Sequence, residues 1–548
     1  MNGILLDAHD MTAHHGGGLI VVAEGGDAVK DEFVVYDING RLPPEVASFD
    51  FRDGKITFRP AKTHDGAAGG KTANMVVSQT NIPYERYFGF IPSKQIPDAQ
   101  ALADLGEALR FNATYAEDES ATPVAYSYFG QFVFHDLSAM VDPGGHVKPY
   151  SERTASLDLD SVFGEADPML TGPATPMAVG PTASQGRPYD LPRAPDGTAS
   201  ISDLRNDDNL PLAQTHMAVI RLFNAIVAGC PGVSHVEARE LAVTHFQSVV
   251  LHDYLTKVVD GGVYYDVMSK GRAVIHTAAH KLARLNEPFR YMVPLEFAAA
   301  CARFGHSMMR NNYFDWNARN ANGRLFSFWS NTYNSSVPPF DGTPDEPRVQ
   351  LPDRWVAQWG KLLDGVGLPP GQAPLMAAKI DTILADPLKA IPDDVLPELT
   401  RSLQTPVKNL AGLSLLRARS LQLSTAQSVA QTILPPLAAR GSPTFAVLTD
   451  QDLGRNEPTA VKTILQSHFS GNTPLWFYTL KEAEVVNFGQ RLGPLGSRIV
   501  METVHAAIEE SSPSILAGNW QPDPRLQPST PDKYTLPDLI AFSGLYNT

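Results

Sequence analysis

The sequence predicts a mainly α fold with a small β-rich extension at its N-terminus, and three observations carry that reading. After about residue 96, apolar residues recur at three- and four-residue steps through long windows, the spacing that gathers them on one face of an α-helix. Before residue 78 the apolar runs are short, rich in β-branched and aromatic residues, and divided by Gly and Asp turns, as strands are. The chain has 548 residues, of which 43% are hydrophobic and 19% charged. That is the composition of a folded protein and excludes collagen-like, coiled-coil and disordered chains.

Taken in order, GLIVVAE (18–24), EFVVYDI (32–38) and KITFRP (55–60) read as strands of the extension. Helical periodicity follows at 211–229, 235–258, 293–310, 376–385, 409–434 and 478–510. Loops rich in Pro and Gly at 142–150, 165–199 and 335–352 exceed ordinary connection lengths, and long loops on a helical scaffold carry or wrap function. The expected division is an extension over 1–78 and a second domain over 79–548. No internal repeat interrupts it.

Lys plus Arg is 44 and Asp plus Glu is 59, a formal charge of −15. This disfavours a nucleic-acid partner, because phosphate recognition relies on cationic side chains that displace counterions. The two cysteines, Cys230 and Cys301, supply neither a disulfide framework nor zinc spacing. No run of 18 uncharged apolar residues suggests a transmembrane segment. The first residues, with Asp7 and Asp10 inside a short apolar run, do not read as a secretory signal, so a cytoplasmic location or export by an unconventional route is expected.

Four segments hold candidate chemistry, each with an ordinary reading beside it. In YSYFGQFVFHDLSAM (126–140), a helix would put Gln131 and His135 on one face and turn Asp136 about 100° away; a core histidine is the ordinary reading. In TASLDLDSVFG (154–164), Thr154, Asp158 and Asp160 offer the hard oxygen ligands that Ca²⁺ takes, or form a solvated acidic turn. In SDLRNDDNLPLAQTHMAVIRLFNAI (202–226), Arg205 and Asp208 precede a helix with Pro211 in its first turn. Arg205 could aim a permanent cation at a cleft or lie on the surface beside capping acids. In LEFAAACARFGHSMMRNNY (295–313), small residues lead to Arg303 and His306, with imidazole a common ligand of haem iron and a packed histidine the alternative.

In order and spacing the four segments resemble the animal-type haem peroxidases of the peroxidase–cyclooxygenase superfamily. GQFVFHD looks like that family's GQxxDHD element, LDLDSVFG like its DxSxVYG calcium loop, and DLRNDDNLPLAQTHMAVIRLFNAI like the segment with its distal Arg. RFGHSMM resembles the proximal RYGHTLI. EARELAVTHFQSVVLHDYL (237–255) is similar to the helix between them, and NLAGLSLLRARSLQLSTAQSVA (409–430) to the LxxLNxxRGRxxGLP element. PLWFYTLKEAE and LGPLGSRIVMETV (474–504) look like the C-terminal portion of bacterial members, so the resemblance spans roughly residues 80–510.

The resemblance implies a helical fold around buried haem b, with His306 as proximal iron ligand, His135 as distal base, Arg205 as distal cation and Gln131 lining the distal pocket. It implies Asp136, Thr154, Ser156 through its carbonyl, Asp158 and Asp160 as Ca²⁺ ligands, with Asp160 in place of a usual Ser. Arg303 and Arg417 would lie near haem propionates, Asp208 at the position of an ester-forming acid, and Ser414 where an Asn usually bonds the proximal imidazole. Phe134 replaces the other ester-forming acid, and Asn209 a sulfonium-forming Met. The implied activity is reduction of H₂O₂ with oxidation of small donors, namely phenolics, thiocyanate, bromide or iodide, through a ferryl iron. A haem fatty-acid dioxygenase is the alternative within the superfamily, set back by Arg303 standing where those enzymes carry a radical-forming Tyr. A non-catalytic haem-binding protein on the same fold is the alternative of a different functional class.

Overall fold

The computed structural model describes six N-terminal strands by their backbone. Beyond them it describes residues 97–112, 119–141, 150–151, 153–164, 172–275, 293–313, 316–317, 323–324, 350–391 and 407–547. Loop 142–150 except its last residue, residues 165–171 of the second loop and residues 335–349 of the third lie outside the described residues. By its contacts the chain forms two units, one of Met1–Tyr87 with Met140–Glu152 and one of Phe88–Ala139 with Arg153–Thr548.

The first unit holds an antiparallel meander in chain order: β1 (Asn2–Asp7), β2 (Gly18–Glu24), β3 (Glu32–Asp37), β4 (Glu45–Arg52), β5 (Lys55–Arg59) and β6 (Asn74–Val76). The three runs read as strands are β2, β3 and β5. Each strand pairs with the next, for example Val21 opposite Val35 and Phe49 opposite Phe58.

The second unit is helical. Its principal helices are α1 (Ala99–Arg110), α2 (Ala125–Leu137), α3 (Leu210–Gly229), α4 (His235–Ser248), α5 (Gly261–Lys270), α6 (Leu410–Ser420), α7 (Ala426–Ala439), α8 (Thr459–His468), α9 (Leu475–Asn487), α10 (Pro494–Glu510) and α11 (Leu536–Phe542). Helix α3 starts where Asn209 accepts from the Leu212 N–H at 3.0 Å, with Pro211 in the first turn needing no donor partner. Helix α4 runs on through a π-helical turn, Val249–Tyr254, to Val258, as the 235–258 periodicity predicts, apart from the widened turn. Among the described residues, α3 alone is long and apolar enough to cross a membrane, and 78% of its apolar window is buried inside the fold.

Four expected helices differ, one of them 409–434, which breaks at Leu421–Thr425 into α6 and α7. Residues 376–385 form a short strand, Met376–Ala378, paired antiparallel with Glu119–Pro123, and then a turn in which Asp381 accepts from the Ile383 N–H. A short apolar run has no periodicity that separates strand from helix. The 293–310 window contains a five-residue helix, Leu295–Ala299, followed by a 3₁₀ stretch, Cys301–His306. The 478–510 window is two helices, divided where Phe488 and Gly489 take positive φ values of 55° and 72°.

Candidate active site

Helix α2 crosses the 3₁₀ stretch that carries His306, so the two candidate imidazoles come from facing elements. Both are deeply embedded: desolvation is the chief cause that lowers each to about 3, followed by Arg205 for His135 and by Arg303 for His306. Both nevertheless keep accessible surface, as do Gln131, Phe134, Arg303 and Gly305. Side chains that are enclosed yet accessible line an internal cleft. At Gly305 there is no atom within 4 Å of the place a Cβ would occupy, so the backbone beside His306 faces open space. His135 is also among the charges felt by His306, which places the two rings within electrostatic reach of each other.

On the distal side, Asn206 Oδ1 lies 2.9 Å from His135 Nδ1, and Asn206 Nδ2 lies 3.0 Å from Nδ1 of His216 in α3. Gln131 Oε1 accepts from Asn209 Nδ2 at 3.4 Å, which ties the middle of α2 to the N-cap of α3. Arg205 does not project alone into the cleft. Its guanidinium pairs with Asp203 at 2.6 Å and donates to the carbonyls of His135, at 2.9 Å, and Ser138, at 2.7 Å. It thus closes the C-terminal end of α2, where carbonyls lack helical partners, and holds the backbone of His135. Arg205 in turn helps keep the buried Asp203 carboxyl below the usual range. Asp208 is half-buried between the 3₁₀ turn Leu204–Asp207 and α3.

The proximal side offers orphaned polar atoms. Among the described residues, neither His306 Nδ1 nor Ser414 Oγ, both buried, has a hydrogen-bond partner. Ser414 and Arg417 lie on α6, which packs on Leu295–Ala299 and α9, the elements that also touch the His306 segment. Phe134 points its ring into an aromatic cluster, 5.3 Å from Phe297, 6.0 Å from Phe304 and 6.3 Å from Tyr254 between ring centroids. An imidazole without a partner, facing space beside an aromatic wall, fits the apolar ring system and single open ligand position of a haem.

The structure brings residues of the acidic loop together with Asp136. Carboxylate oxygens of Asp136, Asp158 and Asp160 lie within 4.8 Å of one another. Thr154 Oγ1 donates to Asp158 at 3.1 Å and is 3.4 Å from the Ser156 carbonyl oxygen. Asp136 Oδ1 accepts from Ser161, and its Oδ2 accepts from the Leu159 N–H at 3.0 Å. Leu159, with no exposed surface, adopts a φ of 60°, a left-handed conformation that costs a non-glycine residue about 1–2 kcal/mol. Burial and mutual repulsion raise the Asp136 and Asp160 carboxyls, and burial raises Asp158. Three crowded carboxylates with raised affinity for protons offer oxygen donors of the kind a hard divalent cation takes.

The sequence reading did not single out Asn206 or His216. Asn206 is one residue beyond Arg205, and its buried place between two imidazoles arises only from the packing of α3 against α2.

No family model and no curated protein matches the chain by sequence. Among solved structures, peroxidase A from Dictyostelium discoideum superposes with a TM-score of 0.51 at 13% identity, over 84% of this chain and 93% of that one. The fatty acid alpha-dioxygenase of Oryza sativa superposes with a TM-score of 0.48 at 11% identity, over 84% and 80%. That of Arabidopsis thaliana gives 0.46 at 12%, over 82% and 75%. The chain thus shares the fold of peroxidase A from Dictyostelium discoideum, a helical body in which His135 and His306 stand on facing elements.

Proposed function

We propose that the protein is a haem peroxidase of the animal type, reducing H₂O₂ to water while oxidising two equivalents of a small donor such as a phenol, thiocyanate, bromide or iodide. The observation that carries this is the pair of enclosed imidazoles, His135 and His306, each still facing the cleft between α2 and the 3₁₀ stretch. Bound haem b would supply the redox-active iron that accepts oxidising equivalents from peroxide. His306 would hold that iron, and Arg303 and Arg417 would meet the propionates. His135, neutral at ordinary pH, takes a proton from peroxide on one oxygen and returns it to the other as the O–O bond parts. Arg205 steadies His135 through its carbonyl and adds fixed positive potential for the departing hydroxide, and Gln131 holds water or an anion one turn away.

The dioxygenase reading is disfavoured by Arg303, which cannot form the radical that a Tyr would. Phe134 offers no carboxyl, so no ester to haem forms there, and Asp208 is one methylene shorter than the Glu usual at its position. Fewer electron-withdrawing links favour easily oxidised donors over chloride. Asp136, Asp158 and Asp160, with Thr154 and the Ser156 carbonyl, would bind Ca²⁺ and tie the loop to the helix of His135.

The test is an absorption spectrum of haem-loaded protein before and after H₂O₂, with steady-state oxidation of a phenolic dye. A peroxide-induced spectral change with turnover is expected, and His306→Ala should lose the Soret band. A fully coloured His306→Ala protein, or wild type inert to peroxide across a range of pH, overturns the assignment.

A further inference from the structure

Asn206 is buried without exposed surface between two histidines, and an amide cannot treat them alike. It presents one acceptor and one donor group, so the ring meeting Oδ1 must carry hydrogen on the nitrogen it offers, and the ring meeting Nδ2 must offer a bare nitrogen. Oδ1 faces His135 Nδ1 at 2.9 Å and Nδ2 faces His216 Nδ1 at 3.0 Å. The two imidazoles are therefore held in opposite tautomers, and a single flip of the amide would exchange both.

The backbone of Asn206 and the ring of His216 are both held in place. The Asn206 N–H donates to the Asp203 carbonyl at 3.0 Å, which pins its backbone in the 3₁₀ turn. His216 is also without exposed surface and packs edge-on with Phe132, ring centroids 5.7 Å apart, with no partner for its Nε2. Among the described residues the one side-chain hydrogen bond of His216 is the one to Asn206. The charged groups around His135 are Arg205, Asp203 and Arg153.

We infer that Asn206, backed by His216, is a positioning residue that locks His135 with hydrogen on Nδ1 and a lone pair on Nε2, the nitrogen left to act as base in the distal pocket. The inference rests on the peroxidase reading for its consequence and on the amide geometry for its content. A histidine in the other tautomer would present an N–H to peroxide and could not take the first proton. Asn206 never touches substrate; it acts through His135.

The experiment compares haem-loaded wild type, Asn206→Leu and Asn206→Asp at neutral pH. The C–O stretch of the ferrous carbon monoxide complex tells whether a lone pair or an N–H faces the ligand, and kcat/KM for peroxide is measured beside it. Asn206→Leu, which makes no hydrogen bond, should move the C–O stretch to lower wavenumber as the N–H form appears. It should lower kcat/KM for peroxide about 10- to 100-fold, the loss usual for a group that orients a working histidine, with the Soret band retained. Asn206→Asp can only accept, so it should keep the wild-type C–O stretch and most of the rate. That rescue separates tautomer control from mere support of the fold, which an Asp unable to donate to His216 would not restore, and it decides the matter even if the Leu variant does not fold. Wild-type values of both readouts in Asn206→Leu, or an Asp variant that loses the wild-type C–O stretch, overturn the inference while leaving peroxidase activity intact. A wild type that shows the lone-pair C–O signature and no reaction with peroxide overturns the functional reading instead.

Discussion

His245 shows how a buried imidazole couples this fold to pH. Its Nδ1 donates to the Leu241 carbonyl at 2.7 Å and its Nε2 accepts from the Asp523 N–H at 2.9 Å, so only the neutral ring satisfies both contacts. Burial lowers it to about 4 from an ordinary 6.5. Between those values the unfolded chain holds a proton that the folded one refuses, so stability present above pH 6.5 is lost as pH falls towards 4. Relative to His245→Gln, which can also donate and accept, wild type should lose about 3 kcal/mol over that interval, as read by urea denaturation at stepped pH. At Gly130 the constraint is steric, since a Cβ there would overlap the Tyr254 ring. Gly130→Ala should cost about 1–3 kcal/mol, visible as a lower melting temperature; an unchanged value would mean that the π-helical turn yields freely.

The element that matters most is the loop 154–164 against α2, since Asp136 belongs to the cluster and its neighbour His135 to the cleft. The raised carboxyls imply that part of the cluster is protonated in the absence of a cation, so binding Ca²⁺ should release protons near neutral pH. Calorimetry in buffers of different ionisation enthalpy should show that release, growing smaller as pH rises. Prolonged chelation should lower melting temperature and peroxide turnover together, because the loop that carries the strained Leu159 then loses its anchor. An active, calcium-free protein with unchanged melting would remove calcium from the scheme. Asp136→Asn should abolish the response to added Ca²⁺ while leaving the protein able to take up haem.

For the molecule as a whole, what could be read in advance was whatever the chain encodes locally. The period of α3 and α4, the Pro211 and Asn209 start signals, and the spacing that puts Gln131 and His135 on one face of α2 all depend on neighbours within a few residues. The acidic loop was legible for the same reason, since four of its five donors fall within seven residues. Residues 376–385 misled because their apolar spacing serves a strand edge and a turn, a choice made by the distant segment Glu119–Pro123. The pairing of Asn206 with His135 was hidden because it exists only once the 3₁₀ turn Leu204–Asp207 and α3 have packed on α2. Arg205 was found but not its hold on the end of α2, which depends on Asp203 and the carbonyls of His135 and Ser138. Denaturing extraction of the holoprotein should release haem b of unaltered mass, and a haem–peptide adduct would instead point to an ester at Asp208. The aromatic lining around Phe134 has a practical corollary: a socket with no weld at that point is one from which the pigment can be lifted and replaced. Zinc or manganese analogues should seat by simple reconstitution, turning the same scaffold into a fluorescent reporter of its own interior.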